Sequence, residues 1–446
     1  MAPRDDSLYY EKRGKKLVST VGLNYFNKRE HLLLSGDEWL EGKRNDDDLA
    51  GLWRIHDRVY DLDSFIKKHP GGPEWIAMTK GTDITEAFEA HHIKGVAEQL
   101  LSRYFVKEAA TPRKSPFKFD DKGFYRTLKR RIANELPYIP KYVAQQSKLL
   151  ADIIVSTYLI LFIVAAYYEN YYIGVLAGYF LTLTVNISHN FIHQRNNFRM
   201  YYMDLSMMSS REFRISHALS HHLFPNTIHD LEISMYEPVI YLMPQTKSPV
   251  EKYVSWLYAL LLFPILSFKA YIFPLILQRK IDIHTVLPWV PVFTTLLITR
   301  QDYWIVLKMF VWIITWSSFI FQLIGKTAAH HHPDIFHDGD TARPSEELDF
   351  GVHQLDAVGD RPNMRGSLIL VLTNFGDHAL HHLFPTLDHS VLDYLYPIFL
   401  QTCLDFGVEW KLFTSGELLK GAAQQLMREP NKTVPQPLKR RVLEGE

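Results

Sequence analysis

The sequence predicts a small α+β domain followed by an all-α membrane domain with about four transmembrane helices and a histidine-rich cap on the cytosolic side. Three observations carry this reading. Residues 52–62 alternate apolar and polar side chains, as a strand with a turn does. Apolar residues are concentrated between about 148 and 325, in runs close to the ~20 residues that cross a bilayer. Three short histidine clusters sit beside those runs: His189-Asn-Phe-Ile-His193, His217-Ala-Leu-Ser-His221-His222 and His378-Ala-Leu-His381-His382.

The chain has 446 residues, enough for two or three domains. Its 49 basic and 49 acidic residues cancel, so no nucleic-acid partner is implied. Its one cysteine, Cys403, forms no intrachain disulfide and suits a reducing compartment. Met1 to Tyr10 are charged and polar with no apolar signal core, so the amino terminus is expected to stay in the cytosol.

Residues 1–35 read as a poorly structured extension. The alternating run Trp53-Arg-Ile55-His-Asp-Arg-Val59-Tyr60-Asp-Leu62 leads to His69-Pro70-Gly71-Gly72, where Pro and Gly force a tight loop that presents the histidine. Gly81-Thr-Asp83-Ile-Thr-Glu-Ala-Phe88-Glu-Ala-His91-His92 follows. Histidines approaching from two helix–loop segments could ligate a haem iron from both faces.

Together the patterns WxIxxxVYDL, HPGG and GTDxTxxF make residues 36–107 resemble cytochrome b5. The resemblance implies a six-coordinate haem b that carries single electrons without binding oxygen. It carries over His69 as one axial ligand. Counting from Asp83 as in the b5 domains fused to desaturases, it gives His92 as the second, with His91 as the alternative.

A polar, basic connector is expected over 108–147, with Lys129-Arg130-Arg131, Lys141 and Lys148 near its end. Two spans are expected at about 149–168 and 171–188, joined by Glu169-Asn170. The basic flank before the first span places that side, and the preceding domain, in the cytosol. Three further apolar stretches lie at about 253–277, 283–299 and 303–325. The histidine clusters can meet only if an even number of crossings separates the second from the third. The stretch 253–277, which contains Pro264, Pro274 and Lys269, is therefore expected at the interface, with 283–299 and 303–325 crossing. The alternative pairs 253–277 with 303–325. The membrane domain is expected over 148–425, and 426–446 reads as a charged tail.

Neutral imidazole suits iron, zinc, copper or nickel. On an α-helix, residues four apart share a face, so His189/His193 and His217/His221 can grip one ion or two adjacent ions. His222 lies about 100° around from His221 and reaches a second ion, and His381/His382 repeat the doubled arrangement. A structural zinc site commonly uses cysteine and four ligands, so a non-haem di-iron centre fits this set better. His330, in Thr327-Ala-Ala-His330-His331-His332-Pro333, is a ninth candidate, its alternative being a solvated loop. His56, His229, His353 and His389 are expected to make local hydrogen bonds or lie at the surface.

With those clusters placed, residues 150–400 resemble the membrane fatty-acid desaturase superfamily, and the amino-terminal b5 fusion resembles front-end and sphingolipid desaturases. The resemblance implies that His189, His193, His217, His221, His222, His330, His378, His381 and His382 hold two non-haem irons. It implies oxygen-dependent desaturation of a fatty-acyl chain in the endoplasmic reticulum membrane, with electrons relayed from NADH-cytochrome b5 reductase through the fused domain. Lipid hydroxylation, or electron carriage without catalysis, are the alternatives. Two departures stand out: Lys326 occupies the place of an asparagine, and His378 that of a glutamine found in front-end enzymes. No double-bond position is assigned.

Overall fold

Two unlike periodicities in the chain build two unlike parts, a small sheet with short helices and a layer of long apolar helices. The computed structural model describes residues 19–24, 35–237, 239–277 and 281–433. Most of the amino-terminal extension and the tail from 434 onward lie outside the described residues. Within the extension, Val21 and Leu23 are buried, and the Thr20 amide donates to Asp338 Oδ1 at 2.7 Å.

The first described helix, α1 (Gly36–Asp47), starts at a reciprocal cap between Ser35 and Glu38. Strands β1 (Trp53–Ile55), β2 (Arg58–Tyr60) and β3 (Phe105–Glu108) form one antiparallel sheet in that order. The alternation read from the sequence turns Trp53, Ile55, Tyr60 and Leu62 onto Ile76, Ile84 and Phe88 in a single apolar core. Trp53 Nε1 donates to the Ile76 carbonyl at 3.1 Å, which ties this sheet to the loop carrying His69. Helix α2 (Thr85–His91) closes the domain.

The segment expected as a polar connector contributes a packed helix instead. Phe124, Tyr125, Leu128 and Ile132 of α3 (Phe124–Glu135) are buried in the central core, Lys129 and Arg126 reach Glu89, and Arg130 is exposed. Its run of Lys129-Arg130-Arg131 hides this apolar stripe from a composition count.

Helices α4 (Val143–Tyr167), α5 (Tyr171–Ile192) and the later α8 (Tyr303–Lys326) pack side by side. Asn170 and Asp302 cap α5 and α8 by accepting from backbone amides of their first turns. Gly174 and Gly178 let α5 approach α8 closely: a Cβ on Gly174 would lie 2.7 Å from Met309 Sδ, and one on Gly178 3.0 Å from the Ile313 carbonyl.

Two apolar helices lie between α5 and α8, α6 (Ser255–Ile276) and the shorter α7 (Ile283–Thr299). By length and composition α6 is the better spanning candidate. The contacts point the other way. His284, in the first turn of α7, hydrogen-bonds Asp204 at 2.7 Å, close behind the first histidine cluster. Just past the end of α7, Gln301 Nε2 donates to the Tyr167 carbonyl at the opposite end of α4, at 3.2 Å. So α7 runs the depth of the layer. Tyr271, near the end of α6, donates to the Thr285 carbonyl at 2.8 Å, and Tyr258, near its start, to the Val239 carbonyl at 2.6 Å. Both ends of α6 therefore lie on the histidine face. A crossing helix must have ends on opposite faces, which the contacts of α7 give and those of α6 do not.

The b5-like part is docked on the cap. Glu89, 3% exposed as a side chain, meets Lys129 Nζ at 2.8 Å, His56 Nε2 at 2.7 Å and the Arg126 guanidinium. Tyr125 Oη lies 3.2 Å from the carbonyls of both Glu89 and Leu383. Burial alone would raise the Glu89 carboxyl, but hydrogen bonds from His56, Arg126 and Lys129 and the charge of Lys129 hold it well below its ordinary value of 4.5. Glu89→Gln leaves the buried Lys129 without its anion, Arg126 keeping Asp121, and is expected to cost about 3–5 kcal/mol at neutral pH. Because the folded-state value is depressed, this contribution is complete above the unfolded value and fades on acidification. Thermal unfolding followed by tryptophan fluorescence should show a wide gap between wild type and variant near neutral pH, narrowing below 4.5.

Candidate metal centre

The histidines arrive from four chain segments that end on one face. His189 and His193 occupy the last turn of α5 and the residue after it. The second cluster lies on a π-wound turn, Arg214–His221, in which the His222 amide donates to the His217 carbonyl at 2.8 Å. Helix α9 (His378–Leu383) follows a turn in which Phe375 and Asp377 both have positive φ, 54° and 50°. His330 lies just beyond α8. All nine rings are buried.

They assemble into two adjacent groups. His189, His193, His217, His222 and His381 form the first. Its Nε2–Nε2 separations are 2.7 Å for His189–His217, 3.1 Å for His189–His193, 3.0 Å for His217–His222 and 3.3 Å for His189–His381. His221, His330 and His382 form the second. His378 joins it, with its Nε2 at 2.8 Å from His330 Nε2. Two nitrogen ligands at right angles on a metal with bonds of about 2.1 Å lie about 3 Å apart. The separations observed match the edges of such a cage. His382 Nε2 is buried without a hydrogen-bond partner among the described residues while its Nδ1 lies 3.1 Å from Gln354 Oε1, so a free lone pair faces the second group.

The π winding brings residues five apart together, so His217 Nε2 lies 3.0 Å from His222 Nε2, while His221 Nε2 lies 3.2 Å from His330 Nε2. His217, His221 and Glu232 also stand together as a third group that bridges the two.

Burial, reinforced by neighbouring imidazoles, pushes His193, His222, His378, His381 and His382 well below the ordinary value of 6.5. Burial likewise lowers His330. These rings are neutral near neutral pH, the form that binds metal. His221 differs. Burial opposes its protonation, but Asp230 and Glu232 outweigh it and raise the ring to about 9. A cation bound at Nε2 would take over the role of that proton.

A second layer holds the rings. His217 Nδ1 lies 2.7 Å from Glu232 and His221 Nδ1 2.8 Å from Asp230. His330 Nδ1 lies 3.2 Å from the Ala357 carbonyl, and His381 Nδ1 lies 3.0 Å from His389 Nε2. Such partners fix the tautomer and aim Nε2. Sequence reasoning missed Asp230, Glu232, Gln354 and His389, the last of which was expected to be local or exposed. The pair of carboxylates shortly after His221 was the signal available. His56, His229 and His353 make local contacts, to Glu89, the Asn24 carbonyl and the Phe117 ring. His332 packs on Phe413. His337 is buried and His331 half-buried, and both lie outside the two groups.

The second site is a cavity of about 550 Å³ in the amino-terminal domain, lined by apolar side chains that include Leu62, Phe65, Ile84, Phe88 and Leu101. His69 and His92 face each other across it with ring centroids 6.1 Å apart. Two metal–imidazole bonds of about 2 Å plus the ring radii give roughly that separation. His69 Nδ1 lies 2.9 Å from the Gly72 carbonyl and His92 Nδ1 3.0 Å from the Phe88 carbonyl, so a proton on each Nδ1 leaves both Nε2 atoms free. His91 instead packs against Trp75, centroids 5.4 Å apart. The donor pair and apolar lining fit a haem.

Residues 168–414 match the fatty acid desaturase family, and residues 38–110 the cytochrome b5-like heme/steroid binding domain. The chain belongs to the cytochrome b5–fatty acid desaturase fusion family. It is 42% identical to the cytochrome b5-related protein of Drosophila melanogaster over 94% of this chain and 97% of that one. An acyl-lipid (8-3)-desaturase of Mortierella alpina is 32% identical over 18% of this chain and 17% of its own. A nitrate reductase [NADH] of Lotus japonicus is 37% identical over 22% of this chain and 10% of its own. No solved structure matches.

In this b5–desaturase fusion the carboxylates behind the histidines should matter almost as much as the histidines. Glu232→Ala is expected to weaken metal retention by about 10–100-fold while leaving the haem absorbance intact. Metal analysis after dialysis against a graded chelator series checks this.

Proposed function

We propose that this protein is a membrane lipid desaturase that holds haem b between His69 and His92. Two non-haem irons would be held by the nine clustered histidines, five rings to one ion and four to the other. The observation that supports this most strongly is the pair of Nε2 cages beside the b5 cavity. Reduced non-haem iron supplies oxygen chemistry strong enough to attack an unactivated methylene. Overall, O2 takes two electrons from NADH and two from the acyl chain, giving a double bond and two waters.

The chain's own residues do the positioning. The neutral imidazoles offer lone pairs without proton release, and His221 would exchange its proton for the cation. Asp230, Glu232, Gln354 and His389 keep those lone pairs aimed. The Lys326 ammonium lies 4.9 Å from the Tyr236 ring and 5.9 Å from the Phe263 ring, and its charge acts on Glu232, the carboxylate behind His217. NADH-cytochrome b5 reductase is the electron donor in this reading and a fatty-acyl chain the substrate. The basic residues ahead of α4 support a cytosolic histidine face, and the family supports the endoplasmic reticulum membrane.

Expression in yeast with analysis of total fatty acids tests the activity. Oxygen-dependent unsaturated products are expected from wild type and not from His382→Ala. A hydroxylated product would convert the reading to hydroxylase. Absence of any product from protein loaded with haem and iron would leave an electron carrier. Separately, His69→Ala or His92→Ala should abolish the low-spin haem spectrum, and His91→Ala should retain it. Loss with His91→Ala alone would reverse the ligand assignment.

A further inference from the structure

The haem cavity is completed by the other domain. His193, Gln194, Arg195, Leu219 and Thr386 share its lining with the b5 residues. His193 is also a member of the five-histidine group. Among the described residues, no member of the four-histidine group lines that cavity.

The strand of chain that leaves His193 is stitched to the HPGG loop. The Asn196 amide donates to the Gly71 carbonyl at 2.9 Å, and the Asn196 side chain reaches Glu74. Gly72 has φ +120°, and a Cβ there would fall 2.5 Å from Asn196 Oδ1, so the second glycine of the motif is what lets Asn196 seat. Arg214 grips the same strand from the second histidine cluster. Its Nε donates to the Ile192 carbonyl at 3.0 Å, Nη1 to Asn196 Oδ1 at 2.7 Å and Nη2 to the Gln194 carbonyl at 3.3 Å. Its guanidinium carbon lies 4.6 Å from the Trp75 ring of the b5 domain. Arg214 is 1% exposed and has no ion-pair partner among the described residues. A buried guanidinium without an anion is costly, and its rigid fork is suited to fixing several acceptors at once.

We propose that Arg214 is a positioning residue for electron transfer, holding the haem cavity against His193 so that electrons arrive first at the five-histidine site. This rests on the two-centre reading above. One electron passes from ferrous haem, left ferric, to a ferric ion at that site, which becomes ferrous. No bond or proton is exchanged in that step, and the nicotinamide-linked reductase restores the haem.

The test uses full-length protein with haem and non-haem iron counted. One reducing equivalent is added anaerobically by rapid mixing, and decay of the ferrous haem band is followed. Arg214→Gln and Asn196→Ala should slow this decay roughly tenfold to a hundredfold, with haem spectrum, haem potential and iron content unchanged. Arg214→Lys, which keeps the charge and loses the fork, should fall between. Wild-type rates in both variants with both centres present would overturn the proposal alone. Loss of a centre in both variants would make the contact merely structural and overturn it too. Wild-type protein with haem but no other iron would overturn the two-centre reading and this inference together.

Discussion

Nine buried imidazoles whose nitrogen lone pairs converge are the constraint on which the rest of this structure depends. Neutral rings at these Nε2 separations can share only a few protons, and burial keeps most of them from gaining more. Left alone, such a core would be a set of facing lone pairs without water to satisfy them. A cation in each group removes the conflict. That requirement explains the geometry around it: a span that ends at the first cluster, a π-wound second cluster, and a third launched from a turn with two residues at positive φ.

The same requirement explains how the domains meet. The rings must be dry, so the face where the spans end needs a cover. Helix α3, the b5 domain and the segment behind the second cluster supply it. Glu89 and Tyr125 bind the b5 domain to α3 and to the third cluster, and Trp39 Nε1 donates to the His229 carbonyl at 2.9 Å on the other flank. In the proposed function the cover would also be the electron donor, and the polar contacts that seal the site would fix the distance between the two centres.

Much of this was legible in the residues. The histidine spacings, the HPGG loop and the apolar runs each have a local cause, so His69, His330 and the eight histidines of the three clusters could be singled out as candidates without coordinates. What was hidden depends on winding or on long range. Spacing alone could not pair His217 with His222, because π winding leaves no mark in composition. His389 looked ordinary because its partner, His381, comes from a separate helix. The apolar stripe of α3 was masked by its own lysines and arginines. Helix α6 reads as a span by hydropathy, yet the need for an even number of crossings already put 253–277 at the interface, where the partners of Tyr258 and Tyr271 place its ends.

The measurement that bears most directly on the central claim is Mössbauer spectroscopy with a metal count on iron-57-loaded, detergent-purified protein. The account expects about two high-spin non-haem irons and one low-spin haem per chain, given six-coordinate haem and two nitrogen cages. One haem with no second iron species, or with zinc filling both histidine groups after iron-replete expression, would contradict it.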